Sequence, residues 1–401
     1  MTTTSEPVLL PDDRRKGCPF DPPPGLADLR AERPLARMLF PDGHIGWLAT
    51  SHEMVRAVLA DRRFSARTDL MHHPFGGPDD ERPPPAPPGV LTDMDPPHHT
   101  RYRRALTGYF TVRRMRMLTE QVERFTAQQL DEMERTGPVV DLVEAFARPV
   151  PGLLICELLG VPYGRRAEFQ DHAAVLTGAN ASVEEMGAAF LGMRAVMSDL
   201  VLIKRANPAD DLISDLIATT DLDEEELVNV GIVLLGAGLD TTAHMIALGT
   251  FALLQHPEQL AALRAEPGLA EPAVEELLRY LTITPTGARV ALEDVELGGQ
   301  TVEAGDTVAL SIQSANRDPL RYPDPDELDI GRKTAGHVAF GHGIHQCLGQ
   351  QLARVELQTA IPALVERFPT LRLAVAPDDV PMRVGMPIYG VHRLPVTWDV
   401  P

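Results

Sequence analysis

Residues 340–349 read Phe340-Gly341-His342-Gly343-Ile344-His345-Gln346-Cys347-Leu348-Gly349, and helix-patterned sequence follows from Gln351 to Leu364. A single cysteine stands in a glycine-rich turn, two residues after a histidine. Glycine permits positive φ and close backbone approach. Amides at the start of a following helix can donate to a sulfur and stabilise its negative charge. Phe340 supplies an apolar wall. The stretch suits a thiolate presented to a buried metal. Two plainer readings stand beside it. A lone cysteine is commonly a small buried hydrophobe. Zinc is the other rival, because His337, His342, His345 and Cys347 fall within eleven residues. Zinc sites usually use pairs at regular spacing, and no second pair occurs elsewhere in the chain.

The chain has 401 residues, 44% hydrophobic and 23% charged, enough apolar content for a large core. No linker, charge block or repeat divides it, so a single folding unit over residues 1–401 is expected. Cys18, Cys156 and Cys347 are too few and too scattered for a disulfide framework. The polar start, Met1 to Arg15, lacks the apolar stretch of a signal peptide. A soluble, reducing, cytoplasmic setting is expected. The formal net charge of −20 disfavours a nucleic-acid partner. Against that background, Arg101 to Arg116 holds six arginines (101, 103, 104, 113, 114, 116) and no acid. It reads either as a solvated helix face balanced by acids elsewhere or as a docking patch for an acidic protein.

Along the chain, a Pro-rich entry (residues 1–24) precedes a mostly helical middle. Residues 45–50, Val290–Leu297 and Thr307–Ile312 read as small strands. Residues 71–90, with seven prolines and three glycines, read as a long loop of the kind that borders sites. Leu142–Leu159 is apolar but broken by Pro149, Pro151 and Gly152, and 163–177 and 184–204 read as helices. The longest helix is expected from Asp223 to Gln255, with Asp223 and Glu226 as a capping box. Its centre, Val230 to Leu239, is almost continuously apolar. Asn229, Asp240, Thr241, Thr242 and His244 argue against a membrane span. A helix apolar all round is otherwise a core helix.

Within that helix, Ala237-Gly238-Leu239-Asp240-Thr241-Thr242 is a poor helix former. Threonine can bond back to the i−4 carbonyl and bend a helix, so the bland reading is a polar network holding a bend. Glu276-Leu277-Leu278-Arg279 puts an acid and a base on one helix face. Asp95-Pro96-Pro97-His98-His99-Thr100-Arg101-Tyr102-Arg103 opens a helix, with His99 and Arg103 sharing a face and both able to donate to an anion.

These motifs together resemble the cytochrome P-450 family. Residues 340–349 match its haem-ligand loop, Phe-x-x-Gly-x-His/Arg-x-Cys-x-Gly, at every fixed position. Residues 237–242 resemble its oxygen-activation segment, Glu276 and Arg279 its structural Glu-x-x-Arg pair, and Asp95 to Arg103 its Asp-Pro-Pro-x-His-x-x-x-Arg. Ala315 to Pro319, Tyr322 to Asp326 and Ile155 to Pro162 resemble further bacterial stretches, so the likeness runs from about residue 18 to 398 in the family's order.

The resemblance implies a mainly α fold with small β-sheets, a triangular helical prism around a buried haem b. It implies Cys347 as the axial ligand of the haem iron, and His99, Arg103, Arg289 and His345 as donors to the haem propionates. Thr241 would serve dioxygen or its ordered water, Asp240 would relay protons, and Gly238 would leave room for dioxygen and substrate. The substrate pocket would be bounded by 71–90, 176–190, 234–242, 283–288 and 384–388, and would include Gly238, Thr242, Ile283, Pro285, Thr286, Met386 and Ile388. Few aromatics there suggest a bulky, mostly apolar small molecule, with secondary metabolism as the setting. The activity implied is monooxygenation with O2. Electrons would come from NAD(P)H through a ferredoxin and a ferredoxin reductase, serving a monomer. The rivals are an atypical oxidation on the same scaffold, whether desaturation, coupling, rearrangement or peroxide-driven, and a non-catalytic haem sensor.

Overall fold

The long helix is where the chain's local chemistry and its burial agree best. In the computed structural model, which describes residues 6–75, 82–177 and 182–400, it spans Glu224–Gln255. Its start is fixed by a reciprocal cap: the Asp223 side chain accepts from the Glu226 amide at 2.9 Å, and Glu226 Oε2 accepts from the Asp223 amide at 2.9 Å. Three glutamates in the first turn lie at the positive end of the helix dipole. Thirty-two residues at about 1.5 Å each reach roughly 48 Å. This helix and Glu184–Ala206 are both long and apolar enough to cross a membrane, but 61% of the apolar window of the long helix is buried inside the protein. It packs on the helices Pro149–Leu159, Val183–Ala206 and Gln350–Arg367.

Most of the expected elements are present, with adjusted ends. Arg166–Thr177 and Val183–Ala206 are helices, the second capped by Ser182 and Glu185. The expected connection between them, residues 178–181, lies outside the described residues, as do 76–81 of the 71–90 loop and 1–5 of the entry. Pro149 and Pro151 do not break a helix. They stand in the first turn of Pro149–Leu159, where a missing amide costs no intrahelical bond. The turn before it, Val143–Ala147, is a π-helix.

The β-structure is small and lies to one side. Five strands lie in the order Leu35–Leu39, Ile45–Ala49, Thr307–Ser311, Thr286–Ala291, Phe64–Ser65. Thr307–Ser311 is central and buried throughout. It pairs in parallel with Ile45–Ala49 (Trp47 beside Val308) and antiparallel with Thr286–Ala291 (Arg289 beside Val308). The expected strand Val290–Leu297 is two: it ends at Ala291 and resumes as Val295–Leu297, paired with Gln300–Val302 around Gly298 and Gly299, both at positive φ.

The bordering loop is docked on the long helix. Asn229 Nδ2 donates to the Pro88 carbonyl at 2.7 Å, and a Cβ on Gly89 would stand 2.6 Å from the Glu226 carbonyl oxygen. The Pro-rich entry is tied down as well. Phe20 meets Phe251 edge-on at 4.9 Å, and the Tyr389 hydroxyl donates to the Pro19 carbonyl at 2.6 Å.

Glu276 and Arg279 lie on the helix Ala270–Leu281 and are fully buried. They form a two-point pair at 2.7 Å and 2.7 Å. Arg279 Nη1 also donates to the carbonyls of Asn316 (2.9 Å) and Pro325 (2.8 Å), while Glu276 Oε1 accepts from Arg332 Nε and the Asp329 amide, each at 3.1 Å. One helix turn thereby organises the strand-poor segment 316–332. Removing one partner of a buried pair leaves the other charge without compensation, at about 3–5 kcal/mol. Glu276→Ala is therefore expected to lower the unfolding midpoint sharply and to release bound cofactor. Arg279→Lys is expected not to rescue, because an ammonium cannot span both Glu276 oxygens and the carbonyls of Asn316, Pro325 and Glu327. A wild-type midpoint in either variant would show the pair to be dispensable.

Candidate active site

The cysteine turn is shaped by its glycines. Gly341 and Gly343 have φ of 67° and 73°. A Cβ on Gly343 would lie 2.1 Å from the carbonyl oxygen of Leu59, in the helix His52–Ala60, so no side chain fits there. The Cys347 amide donates to the Phe340 carbonyl at 2.8 Å and closes the turn. Burial pushes the Cys347 thiol up, while amides of Gly349 and Gln350, at the start of the helix Gln350–Arg367, and the charges of Arg103 and Arg354 favour its thiolate. Arg354 lies over the Phe340 ring at 4.6 Å. The zinc alternative does not fit: among the described residues no group of three or more His, Cys, Asp or Glu is placed to hold a metal ion. His337 instead pairs with Glu275 at 3.0 Å, and His342 faces Arg56.

Cys347 opens onto a cavity of ≈ 400 Å³. Phe340, Leu352 and Ala353 line it near Cys347 in sequence, and Ala237, Gly238, Thr241, Thr242 and Met245 line it from the long helix. His99, Arg103, Arg289 and His345 all face it, as the motifs imply. His99 and Arg103 come from the helix His98–Thr107, and Arg289 from the central sheet. The rings of His99 and His345 lie 4.1 Å apart. Burial, followed by the charges of His99, Arg289 and Arg103, lowers the His345 pKa to about 3.

Neither Arg103 nor Arg289 has an ion-pair partner among the described residues, and the buried Nε2 of His345 has no hydrogen-bond partner. Both arginines are half-buried, and Arg289 Nη1 donates to the Ala288 carbonyl at 2.7 Å, which leaves both without an anionic partner and open to completion by an anion. A planar iron chelate with carboxylate edges fits this set: Cys347 for its metal and His99, Arg103, Arg289 and His345 for its acids.

Gly238, Thr242 and Ile283 line the cavity as expected. Pro285 and Thr286 do not, and here the expectation is corrected. Successive strand residues face opposite ways. Gly287 and Arg289 line the cavity and Thr286 is buried on the other face, while Pro285 lies before the strand, buried and outside this alternation. Met386 and Ile388 are also absent from the lining and lie half-buried in the segment 384–388. Among the described residues of the 176–190 region none lines the wall, whereas Leu91, Thr92, Phe110, Ile155 and Thr284 do.

Asp240 and Thr241 diverge. Thr241 lies in the cavity wall, with its hydroxyl donating to the Ala237 carbonyl at 2.7 Å. Asp240 is not a lining residue and meets His244 and Arg383 instead. Arg383 carries no local sequence signal, since it lies 143 residues from Asp240. The i, i+4 spacing of Asp240 and His244 on one helix was a usable signal. Glu356 is a second residue the motifs do not mark. It lines the cavity, one of its oxygens has no partner, and burial pushes its carboxyl up to about 8.

The arginine-rich window divides. Arg101 pairs with Glu226 and Asp221, and Arg114 with Asp215 and Asp210. Arg103 serves the cavity, and Arg104 and Arg113 are exposed. The side chain of Arg116 lies outside the described set. The helix Val112–Met117 packs on Gln350–Arg367, which sets the window on the cysteine side.

Comparison with known proteins agrees with this geometry. A family model described as cytochrome P-450 matches residues 193–396. Cytochrome P-450 105C1 of a Streptomyces species is 49% identical over 381 residues, covering 94% of this chain and 96% of that protein. Pentalenic acid synthase of Streptomyces avermitilis is 44% identical over 410 residues, with 99% of each covered. The crystal structure of CYP105P1 in complex with filipin I is 45% identical, covers 98% of this chain and 99% of its own, and superposes with a TM-score of 0.91. The thiolate turn, the donor ring and these relatives lead to one conclusion: this chain belongs to the cytochrome P-450 family, the haem-thiolate monooxygenases.

Proposed function

We propose that Cys347 is the axial ligand of the haem iron, that Thr241 and Asp240 deliver protons, and that the substrate is a bulky, mostly apolar product of secondary metabolism. One observation carries the reading: Cys347 and Thr241 line one cavity together with His99, Arg103, Arg289 and His345, and neither arginine has an ion-pair partner among the described residues. When bound there, haem supplies the oxygen-activating chemistry, and a thiolate ligand favours O–O cleavage. The protein supplies orientation, proton control and a dry pocket.

His99, Arg103, Arg289 and His345 fix the carboxylate edge of the cofactor. Thr241 would serve the oxygen chemistry that haem supplies with the hydroxyl that here donates to the Ala237 carbonyl. Gly238 keeps the wall thin: a Cβ there would meet Ile155 at 3.5 Å, an ordinary contact, so packing alone does not demand glycine. The space it leaves belongs to the cavity. The paired Asp240 and Thr241 support dioxygen chemistry over the peroxide-driven and sensor alternatives. The names of relatives, a pentalenic acid synthase and a nocardicin C N-oxygenase, support a natural-product substrate. A monomer in the cytoplasm, fed by NAD(P)H through a ferredoxin reductase and a ferredoxin, completes the reading.

The reduced protein under carbon monoxide tests the ligand. A strongly red-shifted Soret band is expected from wild type, Cys18→Ala and Cys156→Ala, and its loss from Cys347→Ala. A red-shifted band in Cys347→Ala would remove the assignment.

For proton delivery, Thr241→Ala is expected to keep haem and substrate binding but to lose on the order of 10²-fold in productive turnover. Reducing equivalents then appear as peroxide or water. Unchanged product yield per NAD(P)H consumed would exclude Thr241 from the path.

An acidic ferredoxin is steered by local charge at a Debye length of about 8–10 Å, whatever the total charge. Arg104→Glu with Arg113→Glu is therefore expected to slow reduction of the haem by ferredoxin at low salt and to flatten its salt dependence. Equal stopped-flow rates for wild type and variant would move the docking surface elsewhere.

A further inference from the structure

Glu275 precedes Glu276 on the helix Ala270–Leu281, and the two acids serve different parts of the molecule. Glu276 is fully buried with Arg279. Glu275 meets the helix that follows the cysteine. Its Oε1 accepts from Arg354 Nε at 2.6 Å and its Oε2 from Arg354 Nη2 at 3.1 Å, a two-point pair. Its Oε2 also accepts from His337 Nε2 at 3.0 Å. The Ala339 amide donates to His337 Nδ1 at 3.2 Å, which requires that nitrogen to be bare and puts the ring proton on Nε2.

Arg354 reaches the cysteine turn by two routes. Its guanidinium lies over the Phe340 ring at 4.6 Å, and Phe340 both lines the cavity and accepts the Cys347 amide at 2.8 Å. Its Nη1 donates to Gln350 Oε1 at 3.0 Å, and the Gln350 amide is one of those that favour the Cys347 thiolate. The charge of Arg354 favours that thiolate as well.

The cluster is largely enclosed, with side-chain exposure of 23% for Glu275, 20% for Arg354 and 3% for His337, so water screens it only in part. Burial by itself would raise the Glu275 pKa, but the hydrogen bonds from His337 and Arg354 outweigh it and hold the carboxyl down at about 2. The acid is therefore ionised near pH 7, and its charge opposes that of Arg354 from one hydrogen bond away. Glu275, Arg354 and His337 do not line the cavity, so their reach to its contents is electrostatic.

We propose that the Glu275–Arg354 pair sets the reduction potential of the iron held by Cys347, with Glu275 as the counter-charge that limits the pull of Arg354 and His337 as the residue that positions Glu275. The inference rests on the reading of Cys347 as the axial ligand. Reduction adds one electron at the iron, and no proton moves within the cluster. A cation near the thiolate favours the added negative charge, and an anion opposes it. Removing either member of the pair therefore shifts the potential in the opposite direction from removing the other.

The test is a reductive titration of the haem-loaded protein with dithionite and mediator dyes, read by absorption, with no redox partner and no turnover. Glu275→Gln keeps the side-chain volume and removes the negative charge. It is expected to raise the equilibrium constant for reduction about threefold, or about 28 mV at 59 mV per tenfold for one electron. Arg354→Gln is expected to lower the constant by about the same factor. Arg354→Lys, which keeps the charge, is expected to move back toward wild type. Glu275→Gln combined with Arg354→Gln is expected to lie near wild type, since both charges are gone.

Unchanged constants in both single variants overturn the proposal. So do shifts of the same sign in both, because a packing role would move them together. A double variant further from wild type than either single variant overturns it too. If Arg354→Gln does not retain haem, Glu275→Gln carries the test alone: a raised constant supports the proposal, and an unchanged or lowered one refutes it. The ligand reading fails separately, if the reduced wild type under carbon monoxide lacks the red-shifted Soret band.

Discussion

The buried pair Glu276–Arg279 is the constraint on which the active site rests. It is followed by a continuous run of bonds to the cysteine. Arg279 holds the Asn316 carbonyl, and Asn316 Oδ1 accepts from the Val338 amide at 2.8 Å. Asn316 Nδ2 returns to the Thr282 hydroxyl at 2.9 Å, just past the end of the same helix. Two residues after Val338, Phe340 accepts the Cys347 amide. Arg317 adds a second anchor by donating to the Tyr280 and Phe20 carbonyls. The cysteine turn is thus suspended from polar contacts in the interior, where each unmade bond is expensive. The value of such a pair lies in specificity of geometry more than in net stabilisation.

Total charge and local charge point in opposite directions here. The chain carries −20 overall, yet the cavity is lined by two half-buried arginines with no ion-pair partner among the described residues. Burial lowers the pKa of both Arg103 and Arg289, while acids or the cysteine nearby pull the other way. Local charge at the cavity is thus opposite in sign to the charge of the whole chain.

What was legible in the sequence follows range of interaction. The glycine-cysteine turn, the Asp223–Glu226 cap and the Glu276–Arg279 pair are local patterns, and each has the bonds its spacing requires. The donor ring was legible only through family likeness, because His99, Arg289 and His345 come from three distant segments. Residues that meet by tertiary packing left no trace. Arg383 reaches Asp240 from the far end of the chain, and Glu356 resembles any helical glutamate until its burial is seen. At Thr286 the pocket wall departs from the contiguous stretch expected, because a strand presents every second residue, whereas Pro285 lies before the strand and has no such explanation. The prolines at 149 and 151 misled in the same manner: position within the first turn reverses their effect.

The long helix also divides the interior. Leu227 to Leu239 belong to one apolar core, with Leu154, Met197 and Leu216, while Met245 to Leu253 belong to another, with Phe146, Leu277 and Ile361. Residues 240–244 lie at the seam between them. Thr242, Ala243 and His244 are buried there, and Asp240 meets His244 and Arg383, so the seam between the two apolar cores is closed by polar contacts.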